Sequence, residues 1–162
     1  MPAATVPAAD GYALALEEAR RALDAQERTV AQLFTRSGLL MSAAAIVTSV
    51  LGGSTVAGAT VDAAAWIAIA SFAALTGAIL SILRPRQTLE FALHPAPLVE
   101  RLVEAPTVPH PADLRRELAL HMGGSIDRNA CEINAMVASF HIASVLLALE
   151  IVASVVSIAT VD

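Results

Sequence analysis

The sequence predicts an all-α integral membrane protein, three transmembrane helices plus a cytosolic helical extension, and three observations carry that prediction. The first is composition: of 162 residues, 56% are hydrophobic and 15% charged, and the mean hydropathy is +0.66. A soluble domain of this length needs a more polar surface. The second is Met136 to Ala159, an almost unbroken apolar run. As a helix it is about 36 Å long, enough to cross a hydrocarbon core of roughly 30 Å. The third is the placement of the basic residues: all ten are arginines, and all fall outside the apolar runs.

Residues 1–9 are rich in Pro and Ala, without charge or periodicity, and are expected to be disordered. From Asp10 to Thr35 a different pattern begins. Tyr12, Leu16, Ala19, Leu23, Val30 and Leu33 recur at spacings of three, four and seven, while Glu17, Glu18, Arg20, Arg21, Asp24, Glu27 and Arg28 cover the other side. Residues 10–35 therefore form a cytosolic amphipathic helix that packs on another helix or lies on the membrane surface.

Residues 36–56 supply the first span, free of charge after Arg36. A Gly/Ser/Thr/Ala connection from Gly52 to Asp62 leads to the second span, 63–83, which carries no charge and places Trp66 where an interfacial aromatic belt would lie. Ala73, Gly77 and Ser81 fall four apart, as do Ala45 and Ser49, and such small-residue faces allow helix backbones to approach closely in lipid.

Arg84-Pro85-Arg86 ends the second span, the proline stopping the helix and the arginines anchoring at headgroup level. The region 84–135 is cytosolic and helical. Pro95 and Pro97 mark a turn before a short helix, Leu98 to Ala105, and the prolines from 106 to 111 form a second break with Pro111 suited to a helix start. Leu114, Leu118, Met122, Ile126, Ile133 and Val137 then form a stripe that leads into the third span, 136–159. One long helix from about Asp113 to Ala159 is expected, with Gly123-Gly124 as its kink.

The arginines also fix an orientation. Four precede the first span and six lie between the second and third, so all share one side. By the positive-inside rule that side is the cytoplasm, which puts the N-terminus inside and the C-terminus outside. No cleavable signal peptide is expected, since residues 1–32 lack a basic segment leading into an apolar one. Cys131 is the single cysteine, which excludes an internal disulfide and a multi-cysteine metal site. A net charge of −5 argues against nucleic-acid binding.

Glu150 is the residue that most needs an explanation. It sits near the middle of the third span, where an ionisable group costs at least about 2.5 kcal/mol and normally faces protein or water. Measured by depth, Thr48 or Ser49 of the first span and Ser71 of the second can offer it a hydroxyl. It then serves either as interhelical glue or, repeated around an oligomer, as the lining of a pore. His141, nine residues earlier and roughly 90° around the helix, reads as a hydrogen-bonded core histidine. Asp113, Glu117 and His121 lie four apart, yet no further His or Cys joins them, and a solvated face is the better reading. His94 and His110 sit beside prolines in turns. No Gly-rich phosphate loop, catalytic triad or activated cysteine is present, so neither an enzyme, a cofactor nor a metal is expected.

Thr35-Arg36-Ser37 at the entry to the first span, Leu83-Arg84-Pro85-Arg86 at the exit from the second, and a cytosolic helix carrying Arg128-Asn129 into a last span resemble the bacterial Pycsar effector family, small antiphage membrane proteins, and more loosely the SLATT-type effectors. The likeness covers most of residues 20–160. It implies a homo-oligomer in the bacterial inner membrane that perturbs the bilayer or forms a pore in answer to a nucleotide signal. The rival expectation is a non-conducting accessory or phage immunity protein that binds a protein partner through its cytosolic helices.

Overall fold

The computed structural model describes residues 8–56, 63–86, 89–91 and 110–159. Among these residues the chain forms three helices and no strand: α1 (Ala8–Val56), α2 (Ala63–Leu83) and α3 (Pro111–Ala159). Each is long and apolar enough to cross a membrane. The expected short helix at Leu98–Ala105, the turn at Pro95 and Pro97, His94, the start of the chain before Ala8 and residues 57–62 of the first connection lie outside the described residues.

α1 is one helix of 49 residues, where the sequence suggests an amphipathic piece joined to a span. The join leaves no break because nothing between Ala8 and Val56 interrupts helical hydrogen bonding: there is no proline, and Gly38 costs only about 1 kcal/mol relative to alanine. α2 ends where Arg84 donates its amide to the Leu80 carbonyl at 3.0 Å and Pro85 prevents another turn. α3 begins at Pro111, and His110 caps it. The His110 carbonyl accepts from the amides of Asp113 and Leu114 at 2.9 and 3.1 Å, while its Nδ1 accepts from the Ala112 amide at 3.3 Å. Pro111 lacks an N–H that would otherwise need a partner, and Asp113 complements the positive helix end. The α-helix continues through Gly123-Gly124.

The chain divides into two compact units, one made of Met1–Thr29 and Arg86–Ile133, the other of Val30–Pro85 and Asn134–Asp162. In the first, Leu23 of α1 and Met122 and Ile133 of α3 are buried. Gln26 Nε2 of α1 donates to the Ile126 carbonyl of α3 at 3.0 Å. Glu17, Glu18 and Arg21 pair along the exposed side of α1, an arrangement that contributes a few tenths of a kcal/mol per pair.

In the second unit all three helices meet. Ala44, Leu75, Ile79 and Ala143 are buried together, with Leu40, Met41, Phe72, Ala78, Leu146 and Leu147 at the edge of the cluster. Ala68 packs with Ala153 further along. Contacts thus climb α3 from Ala143 to Ala153 while they descend α2 from Ile79 to Ala68, so these helices run antiparallel. Alanines at the contact points let the backbones come close, which maximises dispersion where surrounding lipid would supply no hydrophobic drive.

The buried positions repeat every seven residues. On α3, Met122, Asn129, Met136, Ala143, Glu150 and Ser157 are all buried, and on α1 Leu23, Val30, Ser37 and Ala44 are. Positions seven apart fall on nearly the same side of a helix, so the repeat marks the inward face of each helix.

The small-residue stripe of α2 is where sequence expectation and structure part. Ala73, Gly77 and Ser81 are exposed, and a Cβ built at Gly77 would meet nothing within 4 Å. The buried face carries Ala65, Ala68, Ser71, Leu75, Ile79 and Ile82 instead. Gly77 lies roughly 200° around the helix from Leu75. The inward face of α2 mixes small residues, Ala65, Ala68 and Ser71, with the larger Leu75, Ile79 and Ile82, while Trp66, Ile67 and Leu80 lie outside with the stripe. Ala45 and Ser49 of α1 are exposed as well.

Candidate functional site

In the second unit, Glu150 projects from α3 toward α1 and is 1% exposed. Thr48 Oγ1 donates to its Oε1 at 2.7 Å. Its Oε2 is buried with no hydrogen-bond partner, and Ser154 Oγ, one turn further along α3, is buried and equally without one. Ser71 of α2 and Ser157 of α3 are buried too. Ser37 Oγ of α1 is another buried hydroxyl without a partner. The second unit thus buries several oxygen-bearing side chains in otherwise apolar surroundings. No basic side chain lies in residues 37–83 or 129–159 apart from His141, so nothing in these stretches of sequence forms an ion pair with Glu150.

Of the residues that the sequence offers as partners for Glu150, the structure brings up Thr48. Ser49, roughly 100° further around α1, is exposed and donates to its own Ala45 carbonyl at 2.7 Å. His141 corrects the core-histidine reading: it is exposed, its ring centroid 6.5 Å from that of Phe140. The reason is rotation, since His141 sits two residues before the buried Ala143 and so points away from the bundle. Trp66, Arg36 and Arg84 are exposed, as anchors at an interface would be. Arg86 is half-buried and makes an ion pair with Glu132 of α3, so it serves the packing of its own unit as well.

The first unit holds a second polar constellation, centred on Glu90. The Glu90 amide donates to Asn129 Oδ1 at 3.0 Å, and Asn129 Nδ2 donates to the Glu90 carbonyl at 3.0 Å. One side-chain amide thereby satisfies both main-chain groups of one residue. The Glu90 carboxylate accepts from Ser125 Oγ at 3.0 Å and from Arg128 Nη2 at 2.7 Å. Asn129 is 0% exposed. This clamp fastens residues 89–91 to α3 through four hydrogen bonds. Asp113, Glu117 and His121 lie on the exposed side of the same helix.

Sequence reasoning passed over Glu90, Gln26, Ser125, Ser154 and Ser157. The signal that reaches some of them is the seven-residue spacing: Asn129, Glu150 and Ser157 share one seam with Met122, Met136 and Ala143. Polar residues that keep step with a hydrophobic seam are turned inward with it. Glu90 gives no such signal, because its partners are set by a segment that belongs to no helix. No protein-family model matches the chain, and neither a curated protein nor a solved structure is found to be similar to it.

Proposed function

We propose that this protein is a self-associating integral protein of the bacterial inner membrane, N-terminus in the cytoplasm and C-terminus outside, that acts in antiphage defence by perturbing the bilayer or opening a pore through it. The observation that carries the proposal is the buried Glu150 carboxyl, bonded to Thr48 and followed by the buried hydroxyls of Ser154 and Ser157, within helices whose outward surface is apolar. Ionisable groups kept inside a membrane bundle mark routes for ions or protons, because their cost is tolerated only where they are used or well paired. The exposed Ala73 and Gly77 of α2 support self-association, since small residues on an outward face let the backbone of another copy approach closely. The resemblance to Pycsar effectors adds the expectation of a nucleotide signal acting through the cytosolic helices.

Induced expression in cells carrying a membrane-potential dye tests this. Wild-type protein is expected to depolarise the inner membrane, Glu150→Gln to weaken the effect, and Glu150→Ala to abolish it while the variant still inserts. The mass of the detergent-solubilised protein, by light scattering corrected for bound detergent, is expected to be that of several copies. An inert, monomeric wild-type protein would instead favour the accessory role, in which the cytosolic helices bind a partner.

A further inference from the structure

We propose that Glu150, Thr48 and Ser154 form a binding site for one monovalent hard cation, a proton or Na⁺. The inference deepens the membrane reading above and rests on it, because a carboxylate in lipid cannot draw its counter-charge from solvent. Three observations lead there. Glu150 is 1% exposed, and its Oε2 is buried with no partner, although a buried carboxylate oxygen ordinarily has one. Ser154 Oγ, a turn away on the same buried face, is unpartnered as well. Thr48 spends its donor on Oε1 and keeps lone pairs that can turn to a cation.

Charge and ligand type then select the occupant. A buried carboxylate without a counter-charge is strongly unfavourable, and no basic residue of the spans stands against this one. From α1 the group facing it is the uncharged Thr48. α2 carries no charged residue at all, and on α3 the nearest titratable group is His141, exposed and more than two turns away. A single positive charge therefore balances the site, whereas a divalent ion would leave one charge over. The donors are all oxygens, two from the carboxylate and two from hydroxyls, and oxygen sets of this kind favour hard cations.

The test uses the full-length protein reconstituted in lipid vesicles and treated with dicyclohexylcarbodiimide, a lipophilic reagent that forms a stable N-acylurea with a protonated carboxyl in an apolar setting. Mass spectrometry locates the label. Labelling is expected at Glu150 and to disappear in Glu150→Gln. If Na⁺ is the ligand, labelling slows about tenfold when Na⁺ stands near ten times its Kd, K⁺ at equal ionic strength does not reproduce the protection, and Thr48→Val and Ser154→Ala each weaken it. If the ligand is the proton, labelling falls as pH rises and Na⁺ at fixed pH has no effect. Absence of label at Glu150 under all conditions, or labelling indifferent to both pH and Na⁺, overturns the proposal. Since the assay reads the wild-type protein in vesicles and requires no conductance, protected labelling of a protein that fails to depolarise cells would sink the effector reading alone.

Discussion

Asn129→Ala is expected to detach residues 89–91 from α3 and to raise the hydrogen-exchange rate of the Glu90 amide about 30-fold. Two main-chain groups of Glu90 lose their partner at once, and a partly buried polar group left unsatisfied costs about 1–3 kcal/mol. The 30-fold figure corresponds to about 2 kcal/mol, toward the middle of that range. Asn129→Asp is expected to be worse, although it preserves shape. It removes the donor to the Glu90 carbonyl and sets a second carboxylate beside the Glu90 side chain, where Ser125 and Arg128 already hold the first. Exchange measured by mass spectrometry on detergent-solubilised protein resolves the effect. Unchanged protection at Glu90 in both variants would mean that the clamp is not formed in solution.

The second large effect is expected from overfilling. Ala143 is 0% exposed against Ala44, Leu75 and Ile79, so Ala143→Leu must insert three carbons where three helices are in contact. Overpacking of this kind costs about 1–3 kcal/mol, occasionally more. A value near the top is expected because Ala44, facing it from α1, has no long side chain to swing aside, and Leu75 and Ile79 of α2 are themselves buried. Ala148→Leu is the control. It lies on an exposed part of the same helix and should change stability by no more than about 0.5 kcal/mol. Denaturant titration of the purified protein compares the two. Equal midpoints would show that the three helices do not meet at Ala143.

Much of this was legible in the residues, and what was not has physical causes. Three apolar runs gave the three helices, and the prolines at 85 and 111 gave two of their limits. On the charged half of α1, polar and apolar residues alternate at helical spacing, so the buried positions Leu23, Val30 and Leu33 could be named directly. The apolar half of α3 is different. It is hydrophobic on every side, so its sequence carries little information about which face turns inward. Depth alone allowed Thr48, Ser49 and Ser71 as neighbours of Glu150, and only the rotation of α1 separates Thr48 from Ser49. The same missing information hid the outward direction of His141 and the exposure of the Ala73, Gly77 and Ser81 stripe. Glu90 was invisible for another reason: its bonds join it to residues 35 to 39 positions away, and no local spacing encodes them.

The seven-residue repeat of buried positions on α3 makes that helix a text read in fixed frames. Adding one residue between Met136 and Ala143 would turn everything downstream by roughly 100° and carry Glu150 from the bundle to the outer surface. Adding seven would restore the face and slide the carboxyl about 10 Å along the axis, away from Thr48. Position around the helix and position along it are thus separately addressable, and a change of length within α3 can respect the first only in whole heptads, always at the expense of the second.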